Sequence, residues 1–228
     1  MTEIWHALTK AIELIVNLDP EVIEIAGRTL GVSGSACLLA SVICLPLGSL
    51  IHFHQFAGKR ILVNVIQALF SLPSVTVGLF VFVLFCRDGP FGELGILFTP
   101  TAMIIGQMIL ITPILLGLTI SALSGVSKEV VDTAISLGAS GFQAVWLVLK
   151  EARYAVLAAV VMGFGRAIAE VGCALMVGGN IKGSTRIITT AMSLEVSKGN
   201  LELAMALGII LLFLALIINI LLNRLQQR

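Results

Sequence analysis

Charge is what this sequence lacks most. Asp, Glu, Lys and Arg make up 12% of its 228 residues while 58% are hydrophobic, and soluble domains carry roughly 25% charged residues. A soluble monomer is excluded. Charge of one sign is also missing: 14 Lys and Arg against 13 Asp and Glu leave a net +1. There is no basic footprint to neutralise phosphates, so no nucleic-acid partner is expected. Histidine is confined to positions 6, 52 and 54, and the cysteines at 37, 44, 86 and 173 sit in apolar stretches without C-x-x-C spacing. Free cysteine there behaves as a small hydrophobe, and neither a metal site nor a disulfide framework is expected. A phosphate-binding G-x-x-x-x-G-K-[ST] loop is absent: Gly58-Lys59 is followed by Arg60, and Lys182-Gly183-Ser184-Thr185 has the wrong order. The chain is therefore expected to hydrolyse no nucleotide, to bind no cofactor and not to be an enzyme. No basic segment and no small-residue cleavage site mark a signal peptide.

What the sequence does contain is long uncharged runs. A bilayer core about 30 Å thick takes roughly 20 apolar residues at 1.5 Å each. Runs 29–51, 61–86, 95–126 and 203–222 carry no formal charge, and 154–179 carries only Arg166 and Glu170. Five membrane-spanning helices are expected, in an all-α membrane protein. Nearer the N-terminus, His6, Lys10, Glu13 and Asn17 recur at spacings of four, three and four. That is one helical stripe, with Trp5, Leu8, Ile12 and Ile15 elsewhere on the helix. Residues 1–24 are expected to form an interfacial amphipathic helix, or alternatively a sixth span. Asp19-Pro20 reads as an N-cap and first helical position.

Two connections are long, 122–153 and 180–202, and such connections are where partners and gates are built. Seven basic residues in the 59–60 turn, the 122–153 loop and the 224–228 tail share one face, against six on the other. This is a weak positive-inside signal. Within 154–179, a helical wheel puts Ala155, Ala159, Gly163, Ala167 and Ala174 on one side with Arg166 and Glu170. Leu157, Val160, Val161, Phe164, Ile168, Val171 and Leu175 fall opposite. The small face is expected to meet protein and the large face lipid. Arg166 and Glu170, at i and i+4, read either as an ion pair locking helices together or as a polar lining of a translocation path. Asn64, Gln67 and Pro73 in the second run, and Gln107 and Pro113 in the third, are expected to be helix-packing groups and tolerated kinks. A pathway role is their alternative. Asn180 opens the second long connection, whose hydroxyls and basic residues suit either an anion at a pore mouth or a solvated docking loop.

The stretch Glu129-Val-Val-Asp132-Thr133-Ala134-Ile-Ser-Leu137-Gly138-Ala139-Ser140-Gly-Phe-Gln-Ala-Val-Trp146 resembles the cytoplasmic loop of binding-protein-dependent ABC importer permeases, E-A-A-x-x-x-G followed further on by I-x-L-P. Asp132 and Thr133 replace the first Glu and Ala, and Lys150-Glu151 stands where Leu-Pro is usual, while Ala134 and Gly138 remain. The resemblance implies a helix, a glycine break and a second helix. It implies that Asp132, Thr133, Ala134, Leu137, Gly138, Ala139 and Ser140 form a coupling helix seated on an ATPase subunit.

Gly163-Phe-Gly165-Arg166-Ala-Ile-Ala-Glu170-Val-Gly172, and then Gly178-Gly179-Asn180-Ile181-Lys-Gly183-Ser-Thr185-Arg186, resemble permeases of molybdate, sulfate and tungstate importers, most of all the tungstate type. By that resemblance, 25–223 is a type I ABC importer transmembrane domain, with a coupling loop at 122–153, an extracytoplasmic loop at 180–202 and a cytoplasmic tail at 224–228. Arg166, Glu170, Asn180, Asn64 and Gln67 are its candidate pathway or packed-face polar residues. The implied setting is multi-pass in the plasma membrane of a prokaryote. The implied partners are two ATPase subunits holding ATP and Mg, an extracytoplasmic oxyanion-binding protein, a second copy of this chain and the lipid bilayer. The implied function is tungstate import by alternating access. The alternatives are molybdate or sulfate import, or a carrier driven by an ion gradient.

Overall fold

The computed structural model describes residues 2–17 and 19–226, all helix and connections with no strand among them. Met1, Leu18, Gln227 and Arg228 lie outside the described residues, and with them the outer ends of the expected N-terminal segment and tail. Helix α1 (Thr2–Val16) is followed by α2 (Pro20–Phe53). Asp19 Oδ1 accepts the N–H groups of Glu21 and Val22 at 3.0 and 3.1 Å, and Pro20 supplies a preset helical φ. Residues 20–24, expected with the N-terminal helix, are thus the first turns of α2. Helix α1 buries Ala11 in a cluster with Ala206, Leu207 and Ile210 of α11 (Leu201–Gln226) and leaves Ile4, Trp5, Ile12, Ile15 and Val16 exposed.

Among the described residues, three helices are each long and apolar enough to cross a membrane: α2, α5 (Pro100–Ser124) and α11. Helix α5 is central, apolar on all sides, with α2 and α8 (Arg153–Ile168) packed along it. Its N-terminus has Thr99 as N-cap and Pro100 at the first position.

The second and fourth runs, expected as single spans, are each a bent pair of helices that together is long and apolar enough for one span. Helix α3 (Lys59–Ala68) passes through a 3-10 turn at Leu69–Ser71 into α4 (Ser74–Phe85), with a bend of 98°. Pro73 causes it: the ring keeps Leu72 out of the helical region, at φ −54° and ψ 123°, and removes an N–H. A full break replaces the tolerated kink. The fourth run divides into α8 and α9 (Gly172–Gly178), bent by 59°. One wheel over 154–179 therefore fails beyond Ile168. Even before the break, Phe164 and Ile168, assigned to lipid, are buried with Cys37, Ile111 and Leu115. Bulk does not decide the side here, because α2 and α5 leave room for large side chains between them and α8. Ala159, Gly163 and Ala167 do face protein, while Ala155 and Met162 are exposed.

Helices α4 and α9 approach so closely that a Cβ on Gly78 would lie 2.9 Å from Cys173 Cα and 2.9 Å from Met176 Cβ. Gly78→Ala is expected to push α9 off α4 at a cost of about 1–3 kcal/mol. Thermal unfolding of the detergent-solubilised protein reads this as a lowered midpoint; an unchanged midpoint would mean that the contact is slack.

The two long connections are structured. The first holds α6 (Lys128–Ser136) and α7 (Gly141–Glu151), and the second holds α10 (Ile188–Ser197). The composition of the latter suits a solvated loop, yet Ile188, Thr189, Thr190 and Ala191 are buried. Backbone that leaves a helix in apolar surroundings needs partners, and threonines provide them. Thr29 Oγ1 accepts the Ile188 N–H at 3.0 Å while donating to the Ile25 carbonyl at 2.7 Å. Thr185 Oγ1 donates to the Gly178 carbonyl at 2.5 Å and accepts the Ile181 N–H at 2.9 Å.

Candidate functional site

Two places combine unusual chemistry with a defined geometry: the α6–α7 hairpin and the break between α8 and α9. The hairpin rests on the ends of α2 and α5 through Val131, Val148 and Ala152, which pack with Phe53, Leu123 and Val126. Its turn is fixed at both sides. Helix α6 closes with the Gly138 N–H on the Ile135 carbonyl at 2.9 Å and the Ala139 N–H on the Ala134 carbonyl at 3.0 Å. Gly138 adopts φ +89°, a left-handed position suited to glycine. Helix α7 opens with a capping box: Ser140 Oγ accepts the Gln143 N–H at 3.4 Å, and Gln143 Oε1 accepts the Ser140 N–H at 2.8 Å. The turn thus locked presents Leu137 (84% exposed), Phe142 (80%) and Trp146 (63%) outward. Asp132, Thr133 and Ser140 are exposed beside them, and Ala134 and Ala139 are half-buried. Apolar and aromatic side chains held rigidly outside a bundle form a surface for a protein partner.

At the break, Arg166 Nη1 lies 2.6 Å from Glu170 Oε2, so the i, i+4 pair read from the sequence is formed. Glu170 is 2% exposed and Arg166 33%. The other carboxylate oxygen accepts the Cys173 N–H at 2.8 Å, capping the first turn of α9, and the Glu170 carbonyl accepts the Thr189 hydroxyl at 2.7 Å. One residue therefore ties α8, α9 and α10 together. Asn180 lies beyond the opposite end of α9, at φ +51°, with its side-chain Oδ1 buried and unpartnered among the described residues. Gln107 of α5 is fully enclosed, and neither amide atom makes the expected helix-packing hydrogen bond among the described residues. Asn64 and Gln67 share the exposed face of α3.

The basic residues of the second long connection are engaged rather than free. Lys182 and Arg186 pair with Glu21 at 2.6 and 3.2 Å, and Lys198 pairs with Glu195 at 2.8 Å. The hydrogen bond from Lys198 holds the Glu195 carboxyl below its ordinary range. In the sequence nothing distinguishes Glu21, Thr29 and Thr189 from ordinary polar residues of helices.

Residues 44–228 match the protein family described as Binding-protein-dependent transport system inner membrane component. The Tungstate uptake system permease protein TupB of Peptoclostridium acidaminophilum is 40% identical over 227 residues, covering 100% of both chains. The protein of the same name from Campylobacter jejuni is 37% identical, over 98% of this chain and 94% of its own. Inward facing structures of the MetNI methionine ABC transporter share the fold with a TM-score of 0.76, covering 92% of this chain and 97% of that one at 17% identity.

Proposed function

The chain belongs to the family of binding-protein-dependent transport system inner membrane components, with the fold of a type I ABC importer permease, and from that premise we propose that it carries tungstate into the cell. The observation that carries the substrate is the likeness to tungstate uptake permeases along the whole chain. The chain has no phosphate-binding loop of its own, so the driving ATP hydrolysis, with its Mg, resides on a separate ATPase subunit. The outward Leu137, Phe142 and Trp146 support the hairpin as the contact with that subunit, through 132–140.

One hairpin per chain and two ATPase subunits imply a second copy of this permease related by a two-fold axis. Uncovered polar residues Asn64 and Gln67 on α3 support that arrangement, since polar side chains in a membrane face a partner or a water-filled path. In this reading the hairpin and C-terminus are cytoplasmic and 180–202 faces an extracytoplasmic binding protein. The apolar face of α1 lies in the bilayer interface. ATP-driven closure opens the path outward to receive the anion, and hydrolysis returns it inward. Arg166 and Glu170 act as a fixed pair that holds the bent fourth span in shape.

Uptake tests the reading. Cells lacking their own oxyanion importers, and expressing this chain with its cognate ATPase and binding protein, are expected to accumulate tungsten in preference to molybdenum or sulfate. Accumulation of molybdenum or sulfate instead would overturn the substrate and leave the fold untouched.

A further inference from the structure

Two adjoining cavities lie where the turn between α2 and α3 meets the end of α5, on the hairpin side of the bundle. The first, about 610 Å³, is lined by Gln55, Lys59, Arg60, Asn64 and Ser124 together with apolar side chains, and by no carboxylate. The second, about 550 Å³, shares Gln55, Lys59 and Ser124 and adds His52, Lys128 and Asp132. The Lys59 ammonium donates to the His52 carbonyl at 2.6 Å, which holds it at the wall common to both. Neither Lys59 nor Arg60 has a carboxylate partner among the described residues. This contrasts with Arg28, Arg166, Lys182 and Arg186, each of which is paired. Asn64 and Gln67 follow Arg60 at i+4 and i+7, so one exposed polar row leads along α3 into the first cavity. An apolar row of Ile61, Val65 and Leu69 runs beside it, also exposed.

We propose that the first cavity is a binding site for a tetrahedral oxyanion group, held by Lys59 and Arg60 and hydrogen-bonded by Gln55 and Asn64. A guanidinium fork matches two oxygens of such a group, and an ammonium adds a second positive charge, so the pair balances a dianion. The site rests on the importer reading for its role: it is the station at which the transported oxyanion pauses before release on the hairpin side. An open cavity in contact with solvent screens both charges, and that suits a station from which the anion must leave. The same chemistry is offered by the phosphate of an anionic phospholipid, whose chains would lie along Ile61, Val65 and Leu69.

The test uses the complex of this chain with its ATPase subunit, without the binding protein, in phosphatidylcholine nanodiscs. Tungstate binding is measured by equilibrium dialysis, and retention of phosphatidylglycerol is measured by native mass spectrometry in discs that contain it. Arg60→Gln removes an exposed side chain with no ion partner, and it is expected to weaken tungstate binding about tenfold. Lys59→Gln combined with it should weaken binding further. Arg87→Gln, in the exposed turn after α4, is expected to change nothing. Loss of phosphatidylglycerol retention alone in the Arg60 variant keeps the site and identifies lipid as its occupant. The site is overturned by variants that bind both probes like the parent, by a parent that binds neither, or by equal weakening in Arg87→Gln. Such a result leaves tungstate uptake by the parent intact. A parent that imports no tungstate, yet binds sulfate through Arg60, would overturn the importer reading and keep the site.

Discussion

Gly138→Asp is expected to reduce tungstate uptake by at least about tenfold, equivalent to about 1.4 kcal/mol of lost coupling, while the protein still reaches the membrane. Gly138 sits at φ +89°, and a Cβ built on it meets nothing within 4 Å. No clash follows, so the cost in fold is the left-handed conformation alone, about 1–2 kcal/mol and less for Asp than for most residues. A bundle of this kind tolerates that at an exposed turn. The carboxylate is a different matter. It enters a surface whose Leu137, Phe142 and Trp146 are exposed and ready for a dry contact, and an unpaired charge buried there opposes docking. Gly138→Ala separates the two effects, since it carries the conformational cost without the charge and should retain most uptake. Normal uptake by Gly138→Asp, with normal membrane yield, would remove the coupling role from the hairpin. Loss of the protein from the membrane would show that the turn supports the fold rather than the partner.

The hairpin was the most legible part of the sequence because every signal that builds it is local. Gly138 permits the left-handed turn, Ser140 and Gln143 cap the next helix, and both act within a few residues. Asp19-Pro20 and Thr99-Pro100 are legible for the same reason. The breaks were not. Pro46, Pro73 and Pro113 give one and the same signal, yet only Pro73 ends a helix. Helices α2 and α5 are packed along each other on both sides of their prolines and stay in line. Helix α3 buries only Ile66, so nothing holds α4 in register with it. The break at 169–171 has no proline at all. It is made by the Glu170 carboxylate accepting the Cys173 N–H and by the Thr189 hydroxyl donating to the Glu170 carbonyl, a contact that depends on how α10 packs. In sequence, the 180–202 connection suits both an anion mouth and a solvated docking loop for a related reason. Composition counts its threonines and basic residues but cannot show that Thr185, Thr189 and Thr190 turn inward, or that Lys182 and Arg186 reach Glu21.

Glu170→Ala is expected to be the most damaging single truncation in the fourth span, and worse than Arg166→Ala combined with it. Glu170 is buried and its carboxylate serves two donors, the Arg166 guanidinium at 2.6 Å and the Cys173 N–H at 2.8 Å. Removing it strands a positive charge and an amide at once. Breaking a buried pair costs about 3–5 kcal/mol, and since Arg166 is a third exposed, screening reduces this to roughly 2–3 kcal/mol. The double variant removes the stranded charge and leaves only the Cys173 N–H without its acceptor, a cost of about 1–3 kcal/mol. Thermal midpoints of the purified proteins should therefore fall in the order parent, double variant, Glu170→Ala, with membrane yield following. Glu170→Gln discriminates further. Its amide oxygen can still cap α9, but its amide nitrogen then faces a guanidinium that also only donates, so rescue should be slight. Equal losses in the single and double variants would mean that the two charges are not energetically coupled. Full rescue by Glu170→Gln would assign the residue to capping the bend alone. Midpoints measured in that order would assign the Arg166–Glu170 pair, together with the Cys173 and Thr189 hydrogen bonds, to holding the bent shape of the fourth span.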